Sequence, residues 1–167
     1  FNAYAKEAIR WTREILSSQA RSLLTQLKPV YKDDHLTLAH GTLSDPGDFD
    51  YLTDTDTAAE TFALLETGIC FIGHTHAPAV FTKTKDGAVR YAADTLIELD
   101  PGSKYIVNVG SVGQPRDGDP RAAYCVYDTE DKIVEIKRQG YDIALARKKI
   151  LEAGLPSFLG DRLLTGN

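Results

Sequence analysis

Apolar positions at the start of the chain recur at helical spacing. Ala5, Ala8, Ile9, Trp11, Ile15 and Leu16 are separated by Lys6, Glu7, Arg10, Arg13 and Glu14, an amphipathic stripe. Ser17 or Ser18 is placed to cap a second piece through Ala20, Leu23, Leu24 and Leu27, so helix is predicted over 2–27 with a break. Pro29 ends it. The short run Leu36-Thr37-Leu38-Ala39 reads as a strand and enters a loop of turn formers, His40 to Gly47. Residues 57–66 carry the next helix, with Thr55 or Asp56 as N-cap and Gly68 as its stop. Ile69-Cys70-Phe71-Ile72 is continuously apolar, the pattern of a strand covered on both faces.

Beyond residue 76 the pattern turns to strand. Val80–Thr84 and Ala88–Ala92 flank Lys85-Asp86-Gly87, where Asp-Gly suits a tight hairpin turn. Thr95–Leu99, Tyr105–Val109, Ala122–Tyr127 and Ile133–Arg138 read as further strands. A closing helix is predicted over 142–153, ended by Gly154, and 156–164 add a last turn or two. The order predicts an α/β chain in which a sheet with helices on one face lies against a mostly antiparallel second sheet.

Composition narrows the classes. A chain of 167 residues suits one domain, and 43% hydrophobic with 26% charged residues excludes a disordered tail, a collagen-like fibre and a low-complexity linker. Nineteen basic against 24 acidic residues leave a net charge of −5, so no broad basic surface argues for a nucleic-acid scaffold role. No apolar run approaches the roughly 20 residues that cross a bilayer, and no membrane partner is expected. Cys70 and Cys125 both lie in apolar runs and read as buried free thiols rather than a disulfide or a metal pair, which fits a cytoplasmic location. The sequence contains no Met and opens on Phe1, so it is expected to be the C-terminal portion of a longer chain.

Three of the four histidines, His40, His74 and His76, fall in loops directly after predicted strands, where α/β proteins place their sites. His35 reads as an ordinary surface or satisfied histidine. On extended backbone, side chains two apart point to the same side with Cα atoms roughly 6.5 Å apart. His74 and His76 are therefore placed to share one ion, or to hold one each of two ions about 3.5–4 Å apart. Gly73 permits a sharp turn before the pair, Pro78 fixes the exit, and the small Thr75 leaves the site open. Gly110-Ser111-Val112-Gly113 offers backbone N–H groups to an anion. Arg116 and Arg121 follow in a loop rich in Asp, Gly and Pro, and the guanidinium of Arg116 suits a phosphate oxygen. The alternative for Arg116 is a surface residue paired with Asp117 or Asp119.

His40-Gly41 after a strand, Phe71-Ile72-Gly73-His74-Thr75-His76, and Val107-Asn108-Val109-Gly110-Ser111-Val112-Gly113-Gln114-Pro115-Arg116 together resemble the C-terminal half of a calcineurin-like metallophosphoesterase. The resemblance is to the small bacterial and archaeal predicted phosphodiesterases and runs over nearly the whole chain, with Val109 standing where the family more often has Pro. It implies a four-layer αββα sandwich, of which residues 1–167 form the C-terminal portion of one domain. It implies a binuclear site of two divalent ions, Mn²⁺ foremost and Fe, Zn, Co or Ni accepted, with His40 and His74 on one ion and His76 on the other. A metal-bridging hydroxide would attack a phosphate-ester substrate, a phosphodiester in preference to a phosphoprotein or a dinucleoside polyphosphate. Gly110, Ser111 and Arg116 would contact the phosphate. Asp45 is placed either to orient the His40 loop or simply to form a turn.

The resemblance also implies motifs that this sequence lacks: a bridging Asp, a second Asp, an Asp-x-His pair and an Asn-His-Asp segment. Asp54 and Asp56 do not match them. The missing ligands and the general acid are expected in an N-terminal half that acts as partner to this chain, which alone is expected to be inactive. Whether the chain forms a homo-oligomer stays open. Two rival readings are an inactive binding or scaffold protein on the same fold, and a single-metal His-x-His protein of unrelated β fold.

Overall fold

The first amphipathic stripe forms two helices in the computed structural model, which describes residues 3–167. They are α1 (Ala3–Ile15) and α2 (Ser18–Gln26). Ser17 breaks them apart: its backbone is extended and its hydroxyl accepts from the Ala20 N–H, a local N-cap. The expected helix start at Asn2 lies outside the described residues. Two short strands follow, β1 (Val30–Lys32), which the apolar pattern does not predict, and β2 (Thr37–Ala39). Helix α3 (Thr55–Leu64) begins one residue earlier than its predicted cap allows. Asp54 is the N-cap, and its carboxylate accepts from both the N–H and the hydroxyl of Thr57. Next come β3 (Ile69–Ile72), the hairpin β4 (Ala79–Lys83) and β5 (Val89–Ala92), β6 (Leu96–Glu98) and β7 (Lys104–Asn108). Strands β8 (Ala122–Asp128) and β9 (Ile133–Gln139) lead to α4 (Ile143–Glu152), α5 (Ser157–Asp161) and a 3-10 turn, Arg162–Leu164.

The chain divides into two compact units. One comprises the residues before Pro29 with Asp142–Thr165 and is helical; the other, Pro29–Tyr141 with Gly166–Asn167, holds the strands and α3. In the helical unit Tyr4 stacks on Phe158, and the Arg162 guanidinium lies over the same Phe158 ring.

In the strand unit, six strands form a mixed sheet in the order β1-β2-β3-β7-β4-β5, with β2, β3 and β7 parallel and the outer pairs antiparallel. Strands β6-β9-β8 form a second, antiparallel sheet. Side chains alternate between two faces of the larger sheet, and both are covered, as the continuous apolar run of β3 demands. On one face Cys70, Ile72, Phe81 and Ile106 pack with Ala58, Phe62 and Leu65 of α3 and its C-cap. On the other Ile69, Phe71, Val80 and Val107 meet Ile97, Val134 and Ile136 of the smaller sheet. Helix, sheet and sheet therefore stack as three layers within this unit.

Candidate metal centre

Parallel pairing delivers two distant histidines to one place. The β2–β3 register sets Leu38 opposite Phe71, so the residues just beyond the strands, His40 and Gly73, are level, and the Gly73 N–H donates to the His40 carbonyl at 3.0 Å. The next residue, His74, then has its Nδ1 2.9 Å from His40 Nε2. One ring donates and the other accepts, so both hold a lone pair or a proton pointed at the same small space. His76 is oriented separately. Its Nδ1 lies 2.7 Å from the Gln114 carbonyl oxygen, which can only accept, so Nδ1 carries a proton and, in the neutral ring, Nε2 holds the lone pair.

The loop that carries this pair is strained. His74 has φ 59° and His76 φ 63°, left-handed values that cost a residue with a Cβ about 1–2 kcal/mol each. Asn108 at the end of β7, fully buried, holds the loop in that shape. Its amide NH₂ donates to the Gly73 carbonyl and to the Thr75 hydroxyl, the latter at 2.8 Å, and its oxygen accepts the Gly110 N–H at 3.0 Å. Gly110 itself has φ 79°, and a Cβ there would lie 2.8 Å from Ala123 Cβ.

Burial, followed by the neighbouring His40, His76 and Arg116, lowers the His74 pKa below the ordinary imidazole value, while Asp50 pulls the other way. A neutral imidazole at neutral pH is the form that ligates a metal. The Arg116 side chain is exposed, and among the described residues it makes no ion pair. Asp117 pairs with Arg138, and Asp119 pairs with Arg121 at 2.6 Å and reaches Arg138 at 3.8 Å. The expected Asp117 or Asp119 partnership for Arg116 is thus taken by other arginines.

Residues 11–132 match the calcineurin-like phosphoesterase superfamily domain. The chain belongs to that superfamily. The uncharacterized protein MJ0912 of Methanocaldococcus jannaschii is 34% identical over 170 residues, which cover 99% of this chain and 68% of that protein. The crystal structure of a metallophosphoesterase from Sphaerobacter thermophilus superposes on the whole chain with a TM-score of 0.85 at 35% identity, over 69% of its own length. The hypothetical protein PH1004 from Pyrococcus horikoshii OT3, 18% identical with a TM-score of 0.77 over 62% of its length, shares the fold. Calcineurin-like phosphoesterases are hydrolases that generally use divalent metals, and the mixed α/β architecture seen here is theirs.

The histidines fit part of such a site. Metal–nitrogen bonds of about 2.0–2.1 Å place two nitrogens on one ion roughly 3.0–3.4 Å apart, close to the separation of His40 Nε2 and His74 Nδ1. The Gln114 carbonyl fixes the His76 tautomer in the way an outer-shell acceptor fixes a ligating histidine. Yet among the described residues no three His, Cys, Asp or Glu side chains come together as an ion site on their own.

The other expected site residues are placed as follows. Gly110 is not available to a phosphate, because it is buried and its N–H is spent on Asn108. The Ser111 hydroxyl accepts from the Gln114 N–H at 2.9 Å, which leaves its O–H proton to donate. Of the two roles read for Asp45, the turn is the one seen, its carbonyl accepting from the Asp48 N–H. Sequence reading passed over Phe49 and Tyr51. Tyr51 stacks on His74 with ring centroids 4.2 Å apart, and Phe49 meets His40 edge-on at 5.3 Å. The signal is two aromatic residues two apart, alternating with Asp48 and Asp50.

Proposed function

We propose that this chain contributes part of a binuclear metal site that hydrolyses phosphate esters, phosphodiesters in preference to phosphoproteins or dinucleoside polyphosphates. The observation that carries the reading is the approach of His40 Nε2 to His74 Nδ1, set by strand register, beside a His76 whose tautomer is fixed by Gln114. His40 and His74 hold one ion and His76 the other; Mn²⁺ is the first candidate, with Fe, Zn, Co or Ni accepted by the same nitrogen donors. Held by these histidines, such ions would supply Lewis-acid chemistry: a more acidic bound water and compensation of phosphoryl charge. Arg116, exposed and near His74, binds a phosphate oxygen. The remaining ligands and the general acid come from a segment outside these residues, which binds this chain as the rest of the same domain.

The test is metal content per chain by plasma mass spectrometry after manganese loading and desalting, with the completing segment present. Two ions are expected for the wild type, and one or none for His74→Ala and for His76→Ala. One ion in the wild type favours a single-metal site, and none refutes the reading.

A further inference from the structure

The loop between β2 and α3 displays aromatic rings instead of burying them. Leu43 and Leu52 of this loop pack into the core, but Phe49 is 40% exposed and Tyr51 54% exposed, both against the histidine pair. The loop is anchored so that they stay there. The Thr42 N–H donates to the Asp50 carbonyl, and Gly41 lies so close beneath that a Cβ would stand 2.4 Å from that oxygen. Phe49 itself adopts φ 57°, a left-handed conformation that a bulky side chain takes only when its surroundings impose it. Scattered exposed apolar residues need no explanation, but two rings on one anchored, strained loop beside a candidate metal pair do.

We infer that Phe49 and Tyr51 form a stacking platform for a planar aromatic group on the substrate. The inference rests on the phosphoesterase reading and names its substrate class: phosphate esters of nucleosides or aryl alcohols, in preference to those of sugars or open-chain alcohols. Aromatic side chains accept any flat ring face and discriminate little between bases, so the platform selects for a ring and not for a particular base. Phosphate held at the histidines would bring the ester substituent within reach of the two rings.

Equilibrium binding to the manganese-loaded holoprotein tests this, with inorganic phosphate, ribose 5-phosphate, phenyl phosphate and AMP as the probes in calorimetry. AMP is expected to bind roughly tenfold or more tighter than ribose 5-phosphate. Phe49→Leu and Tyr51→Leu are expected to bring that ratio toward one. Tight binding of phenyl phosphate as well would show that the ring alone suffices; tight binding of AMP only would assign the platform to nucleosides. Equal affinity for AMP and ribose 5-phosphate in the wild type overturns the inference, as does a ratio that survives both substitutions. Uniform weakening of all four ligands in the variants also overturns it, because the rings would then only support His40 and His74. Failure of inorganic phosphate to bind overturns the phosphoesterase reading itself.

Discussion

Replacing Asn108 by Ala removes three hydrogen bonds from a side chain with no solvent exposure. The buried Gly110 N–H loses its partner, at a cost of about 1–3 kcal/mol. The Gly73 carbonyl and the Thr75 hydroxyl are half-buried and recover water in part, adding roughly 0.5–1 kcal/mol each. The sum is about 3 kcal/mol, a large share of the 5–15 kcal/mol typical of a domain, and lowers Tm by roughly 6–12 °C at this chain length. A second effect separates this from ordinary core damage. With the staple gone, the left-handed conformations of His74 and His76 relax, and metal affinity falls by roughly 10–100-fold, as for loss of an outer-shell partner. Urea unfolding followed by circular dichroism gives the first quantity and a manganese titration the second. Asn108→Asp should destabilise more at neutral pH than in acid, because a carboxylate cannot donate to the Gly73 carbonyl. An Asn108→Ala protein less than about 1 kcal/mol weaker, with wild-type metal affinity, would refute the reasoning.

Hydrogen bonds from Arg121, with further help from Arg138, hold the Asp119 carboxyl well below the usual carboxylate range. A depressed folded-state pKa stabilises above the unfolded value near 3.9, and that stabilisation is lost as pH falls through the folded value. Asp119→Asn should therefore cost about 1 kcal/mol at neutral pH, and the Tm difference from wild type should close only in strong acid; a pH-independent difference contradicts the assignment. Burial pushes the Cys70 thiol up to about 12 and raises Cys125 also. In the native protein a thiol reagent should label Cys125 slowly and Cys70 more slowly still, with both released on unfolding. Rapid labelling of Cys70 would show that β3 is not packed on both faces.

Much of the fold was readable because its strands carry local signals. The apolar run of β3 has the predicted bounds, and Asp86-Gly87 marks the β4–β5 turn, where Gly87 has φ 87°. β1 escaped because three residues with one half-buried position leave no period to detect, and it exists through pairing with β2. The histidine loops were legible for the same local reason, each following a strand. The proximity of His40 and His74 was not, since it depends on a register between strands 34 residues apart. The partner of the Gly110 N–H was illegible for a different reason. A glycine-rich turn offers N–H groups to an anion or to its own chain, and only the position of Asn108 decides which.

The strand register has a consequence for how this site can vary. His40 and His74 hang from the ends of β2 and β3, while Phe49 and Tyr51 ride on the connection between β2 and α3. Lengthening such a connection is inexpensive, roughly 0.6 kcal/mol for each doubling, and does not shift the strands it joins. If the histidines hold the metal and the two rings the substrate, reactive geometry and ligand preference would be carried by different segments of the chain. Insertions or deletions between Leu43 and Leu52 would leave the β2–β3 register intact while changing the rings packed on His40 and His74, so the strand ends and this loop can vary separately.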